Sequence, residues 1–329
     1  MKKLTILVFL LAIPLTVFPQ SKVGTAGLQF LQVGVGARAF GMSEAFVAIA
    51  DDVTALYYNP AGIALLEGSE AIAARTAYPA DINIDYLGYA RSLSPFDAVG
   101  ASLTILSLGE DLLETDNRYP TGTGRSFSFG DYAFGLTYAR KLTPQFSAGV
   151  TLKVLYEYLA DEEVFGFAGD VGTIYDTEFK SLKVAMSITN FGPDLTYTRD
   201  SFPLPLNFKV GISALPIDTE DHRLLVDVEG SHPNDNFERG IIGMEYGFND
   251  LFFLRGGVKW GVRWDTFEEE EGILQPKTKF GIGTDTEKWS AGTGFKIPVN
   301  VLDIKLDYAA TDFGTLGILH RLSLGIAWK

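Results

Sequence analysis

From about residue 69 to the C-terminus the chain alternates apolar and polar residues with period two, the mark of strands whose two faces meet different surroundings. In "QFSAGVTLKVLYEYL", Phe146, Ala148, Val150, Leu152, Val154, Tyr156 and Tyr158 take one face, and Ser147, Gly149, Thr151, Lys153 and Glu157 the other. "PLPLNFKVGIS", "VLDIKLDY" and the closing "RLSLGIAW" repeat the pattern, the last setting Leu322, Leu324, Ile326 and Trp328 against Arg321, Ser323, Gly325 and Ala327. About fourteen strands are predicted, near 69–76, 85–93, 98–107, 130–142, 146–158, 166–177, 182–191, 204–214, 222–231, 238–247, 251–263, 287–296, 301–309 and 320–328.

Alternation alone suits a soluble sandwich as well as a membrane barrel. Three features favour the barrel. Most of the predicted strands are longer than is usual in soluble sheets and suit tilted membrane strands. One face carries Lys153, Glu157, Asp170, Lys209, Asp227, Glu229, Glu245, Arg255 and Lys259, fitting a wet interior behind an apolar exterior. Connections after even strands are tight ("SPFD", "TPQ", "EFKS", "FND", "PVN"), whereas 108–129, 192–203, 264–286 and 310–319 are long. Short turns on the periplasmic rim and long loops outside are how such barrels are built. The expected fold is all-β, a transmembrane antiparallel β-barrel of about 14 strands with a partly helical N-terminal hatch.

Residues 21–68 do not alternate. "SEAFVAIADDVTALYYNPAG" predicts a helix opening at Ser43, with Glu44 in its first turn, broken at Asn59-Pro60. Phe46, Ile49, Val53 and Leu56–Tyr57 recur at helical spacing, a stripe that a wide lumen could bury. Ahead of it, Lys2 and Lys3 precede an apolar run from Leu4 to Phe18, too short for a comfortable span and read as an export signal cut near Gln20 or Ser21. The expected division is therefore 1–20 signal peptide, 21–68 hatch and 69–329 barrel.

Composition narrows the function. The chain holds 27 basic and 41 acidic residues; without Lys2 and Lys3 the net charge is 25 − 41 = −16, which argues against a nucleic-acid partner. With no Cys there is neither a disulfide framework nor a lipidated thiol. Gly at 35 residues, with 24 Phe and 14 Tyr, suits packed strands better than helices. His222, His232 and His320 lack metal-ligand spacing, no G-x-S-x-G elbow occurs, and "GVGARAFG" lacks dinucleotide-site spacing. The run Glu268 to Glu271 reads as a solvated loop. No enzyme activity, cofactor or metal is expected.

"GARAFGMSEAFVAIADDVTALYYNPAGIALL" resembles the N-terminal signature of the PorV/PorQ family of outer-membrane proteins, within the FadL-like barrels, and "DYAATDFGTLGILHRLSLGIAW" resembles that family's C-terminal strand pair. The resemblance implies a fourteen-stranded barrel in the cell outer membrane with an N-terminal hatch, in which Asn59, Pro60, Ala61 and Gly62 turn the chain into the first strand. It also implies a component of the type IX secretion system, with outer-membrane lipid, secreted cargo or other secretion components as partners. FadL-type passive transport of hydrophobic compounds is the alternative, and a mainly structural barrel a third. Small and charged inward faces and long polar loops lean towards secretion.

Overall fold

The computed structural model describes residues 24–329 apart from 80, 180, 198, 264–266, 271–272, 277–278 and 283–286; the side chains of 262–286 lie outside the description as well. The signal-peptide expectation falls outside the described residues, as do the side chains of the Glu268 to Glu271 run.

Fourteen antiparallel strands close into a barrel: β1 (Ser69–Ala77), β2 (Ile82–Ser92), β3 (Asp97–Leu108), β4 (Phe129–Lys141), β5 (Phe146–Leu159), β6 (Glu162–Asp176), β7 (Lys183–Phe191), β8 (Asn207–Asp218), β9 (His222–Pro233), β10 (Glu238–Phe248), β11 (Phe252–Arg263), β12 (Trp289–Val299), β13 (Leu302–Asp312) and β14 (Ile318–Trp328). Each pairs with its neighbours in sequence, and β14 closes onto β1 from Ser69↔Trp328 to Thr76↔Arg321. Closure leaves no unpaired edge, the condition for backbone to lie in hydrocarbon. A short strand, Lys279–Ile282, pairs with the end of β11 beyond the ring. No described helix is long and apolar enough to cross a membrane, which says nothing of a barrel.

The alternating residues fall as their pattern requires. Val150, Leu152, Val154, Leu322 and Leu324 are exposed on the outer surface, whereas Thr151, Lys153, Arg321 and Ser323 are buried within. At the tight turn between β10 and β11, Asn249 and Asp250 both take a φ of 54°, the type I′ geometry that follows the strand twist and that Asn and Asp tolerate. The β6–β7 ladder slips between Gly169 and Val171, placing the buried Asp170 at the irregularity.

Residues 24–68 fill the lumen. Their apolar groups form a core of their own, including Val35, Met42, Phe46, Ile49, Val53, Leu56, Tyr58 and Ile63. The expected helix from Ser43 is not there. Ser43 and Glu44 have φ of 53° and 67°, and the only α-helices described are single turns, α1 (Ala37–Phe40) and α2 (Ala55–Tyr58), followed by a 3₁₀ helix over Pro60–Leu65. The wall supplies the reason. Phe46 and Val47 donate their N–H groups to Glu229 Oε2, each at 3.0 Å, Ser43 N donates to Ser290 Oγ at 2.7 Å, and Ala37 N to Ser323 Oγ at 3.2 Å. Side chains of the barrel thus accept backbone donors of the hatch, and Ser43 N–H also bonds to Phe40 O at 3.0 Å, closing a turn where the helix was expected to open.

Candidate functional site

The candidate region is the contact between hatch and wall, with the rims above and below it. Asn59, buried, anchors it. Its amide donates to the carbonyls of Val47 (2.9 Å) and Thr173 (3.2 Å), and its Oδ1 accepts from Ala61 N (3.2 Å). One side chain thus joins two hatch segments to β6 and caps the 3₁₀ helix. Pro60 occupies the first helical position, where no N–H is needed. The four residues singled out from the sequence, Asn59, Pro60, Ala61 and Gly62, lie together at the wall, three residues of 3₁₀ helix and Leu66–Gly68 before β1.

Glycine makes that approach possible. A Cβ at Gly149 would collide with Pro60, and one at Gly172 with Asn59. On the opposite wall, Gly243 and Gly257 receive Met42 in the same way. The glycine count therefore has a specific use, letting the backbone of the wall meet the hatch directly.

Charged residues complete the joint. Arg38 reaches Glu245 (2.9 Å), Asp51 (2.6 Å) and Asp52 (2.8 Å). Glu245 also binds Arg255 (2.6 Å), which continues to Asp307 (2.6 Å), so one chain of ions runs from hatch through β10 and β11 to β13. Lys259 on β11 takes Glu44 (2.5 Å) and Glu287. Lys209 binds Glu229 at 3.0 Å, and Lys153 binds Asp170 at 2.7 Å. Burial opposes the charge of Glu44, but Lys259 and Lys209 beside it hold its carboxyl below the usual range. Asp52 is also burdened by burial, and Arg38 and Lys305 likewise hold it down. Burial and the nearby Glu44 push the hydroxyls of Tyr57 and Tyr58 well above their usual range.

Of the nine inward charges expected from the sequence, all but Asp227 meet side-chain partners; Asp227 is buried with neither carboxylate oxygen hydrogen-bonded. Glu157 accepts from Tyr197 Oη at 2.6 Å. The hatch partners Arg38, Glu44, Asp51 and Asp52 were missed. Their signal was legible, since four charges in an otherwise apolar segment that becomes buried demand counter-ions. The histidines stay apart: His222 meets Tyr246, His232 meets Glu238 and His320 meets Tyr308. No cluster able to hold a metal occurs among the described residues.

The extracellular end is capped. Gly24 N and Gly27 N donate to the carbonyls of Asp235 and Pro203, and Gln32 donates to Asp235 Oδ1 at 2.6 Å. Leu28, Phe30 and Leu31 pack with Leu195 and Leu204 of the β7–β8 connection and with Leu155 of the wall. Among the described residues, two cavities beside the hatch are small and lined by charged groups: about 180 Å³ on the periplasmic side, among Arg38, Glu70, Glu245, Arg255, Lys305 and Asp307, and about 30 Å³ on the extracellular side, beside Glu44, Lys209 and Lys259; a third, of about 10 Å³, lies between Leu31, Leu56, Tyr86 and Ala133.

A closed ring of fourteen long strands, apolar outside and filled by its own N-terminal segment, defines a β-barrel of the outer-membrane class. The profile described as "Type IX secretion system protein PorV" matches residues 18–232, well over half of the chain, and the protein belongs to that family. Among solved structures, the Ralstonia pickettii toluene transporter TbuX is similar at 14% identity and a TM-score of 0.55, over 90% of this chain and 97% of that one. The Pseudomonas putida toluene transporter TodX gives 13% and 0.57, over 89% and 96%. A Pseudomonas aeruginosa FadL homologue gives 10% and 0.56, over 90% and 98%. At such identities the likeness is one of fold. No curated protein sequence matches the chain. The family is described by secretion, and two of these similar folds belong to toluene transporters.

Proposed function

We propose that this protein binds secreted cargo at the outer membrane and presents it at the extracellular rim as a component of the type IX secretion machinery. The observation that carries the reading is the filled lumen: the hatch is ion-paired to the wall from the periplasmic to the extracellular side, and the described spaces beside it are small, the two larger ones lined by charged groups. A path for hydrophobic compounds would need a largely apolar pocket. The rim supports docking. The hairpin of Leu112–Leu113 with Ser126–Phe127 lies in the β3–β4 connection, and Leu113 and Tyr119 there are exposed. In this reading 1–20 is a cleaved signal, 21–68 the hatch and 69–329 the barrel, and Asn59 to Gly62 lock the hatch to the wall.

The test is deletion of the gene followed by comparison of secreted and surface proteins. Cargo with C-terminal sorting domains should fail to reach the surface. Unchanged delivery, together with lost uptake of a hydrophobic compound, would replace this reading by passive transport.

A further inference from the structure

The cavity of about 180 Å³ beside the hatch reaches the periplasmic rim at Asp250, and five cations line it. Arg38 and Arg255 are bound to Glu245, Lys305 to Glu70 at 2.7 Å and Lys296 to Asp250 at 2.6 Å. Arg223 is the exception. Among the described residues its side chain makes no ion pair and no hydrogen bond, and its Nε is buried without a partner. A buried N–H donor left unmade is costly, so this arginine is the open position in an otherwise matched set.

Its surroundings define one end of the cavity. Arg223 is the second residue of β9 and shares the lumen face of Leu225 and Asp227. It pairs across the ladder with Gly247 of β10, which pairs in turn with Phe253 of β11. A Cβ at Gly247 would meet the Phe253 ring at 3.1 Å and Arg223 Cβ at 3.8 Å, so ring and arginine lie side by side over the glycine. Asp250 stands three residues beyond Gly247, in the β10–β11 turn, and lines the same cavity with its side chain 62% exposed. Its Oδ2 accepts from Lys296, and its Oδ1 takes no hydrogen bond from the described residues. A cation and a carboxylate thus stand at one end of one cavity without bonding to each other.

We propose that this end of the cavity binds a small zwitterion from the periplasm, a short amino acid with its carboxylate on Arg223 and its ammonium on Asp250. A guanidinium takes a carboxylate through its fork of N–H donors. A carboxylate alone is the poorer ligand, because the lining already sets six carboxylates, Asp51, Asp52, Glu70, Glu245, Asp250 and Asp307, against its five cations. An ammonium on the same molecule offsets that surplus, and a phosphate would add to it. The Phe253 ring offers an apolar surface to the carbon chain between the two charges. This goes beyond the secretion reading and does not depend on it.

The test is saturation-transfer NMR of the full chain in detergent, titrated with glycine, β-alanine and γ-aminobutyrate, and separately with propionate, propylammonium and inorganic phosphate. At least one of the three zwitterions should bind tenfold more tightly than any of the singly charged probes or phosphate. Arg223→Gln should remove that advantage, bringing the best zwitterion within twofold of propylammonium, with heat-modifiable migration on gels unchanged. Asp250→Asn should bring the same zwitterion within twofold of propionate, and it serves alone if the arginine variant does not fold. Three zwitterions no better than propionate, phosphate binding as tightly as any of them, or an advantage that survives in either folded variant overturns the proposal.

Discussion

Wall and hatch both remove their backbone from water, and they satisfy it by different means. In the wall each strand hydrogen-bonds to its two neighbours, so the strand backbone is satisfied without help from side chains. The hatch, with single turns of helix and two consecutive residues at positive φ, closes its own bonds only in short local turns. Glu229, Ser290 and Ser323 of the wall complete it. Regular structure therefore lives in the part with the repeating pattern, while the part without one depends on individual side chains. Substitutions should act accordingly: sharply and singly in the hatch contact, weakly on the outer wall.

The strongest effect is expected from Glu245→Gln. It leaves Arg38 and Arg255 without the carboxylate between them, and breaking a buried pair costs about 3–5 kcal/mol. Hydrogen exchange of residues 33–66 should accelerate while the barrel strands stay protected; equal loosening of both would erase the distinction between them. Asn59→Ala should come next, at about 1–3 kcal/mol, since the Val47 and Thr173 carbonyls lose a donor and the Ala61 N–H an acceptor. Proteolysis within 43–66 reads this, and an unaltered rate would deny Asn59 its anchoring part.

Acid should act on the same joint. The carboxyls of Glu44 and Asp52 are held below their usual range in the folded protein, so the unfolded hatch binds more protons. Their contribution is therefore present above the ordinary carboxylate range and lost as pH falls through the depressed values, below about pH 4. Protection of the hatch amides, with exchange corrected for the intrinsic rate at each pH, should fall only at the acid end between pH 7 and pH 3; a fall already at pH 6 would contradict the sign. Smallest of all should be Leu152→Ala. Its side chain is 70% exposed on the outer wall, and the expected change is within about 0.5 kcal/mol. A marked drop in the temperature at which migration shifts on gels would mean that something other than lipid packs there.

How far the sequence was readable follows the same division. Leu152 and Lys153 announce opposite faces by their spacing alone, because a strand sends successive side chains to opposite sides whatever its partners. The count and order of strands followed from that rule and from the lengths of the loops. Phe46, Ile49 and Val53 were rightly seen as buried, yet their helical spacing misled about conformation. They are buried in a core reached by turns. At Asn59 and Pro60 the break was legible, since Pro restricts the residue before it, but the hold on Thr173 of β6, 114 positions away, was not.

By itself, then, the sequence determined the strands, their faces, the barrel they close and the family signature, because all of these rest on local periodicity and short motifs. Only the tertiary structure decided which charges meet, Arg38 with Glu245 and Lys259 with Glu44, and hence that the hatch holds turns where a helix was expected. Those contacts join residues more than 200 positions apart, and pairing over such distances leaves no spacing in a single chain. Ala73 reads as one more alternating residue until β14 returns to lie beside it.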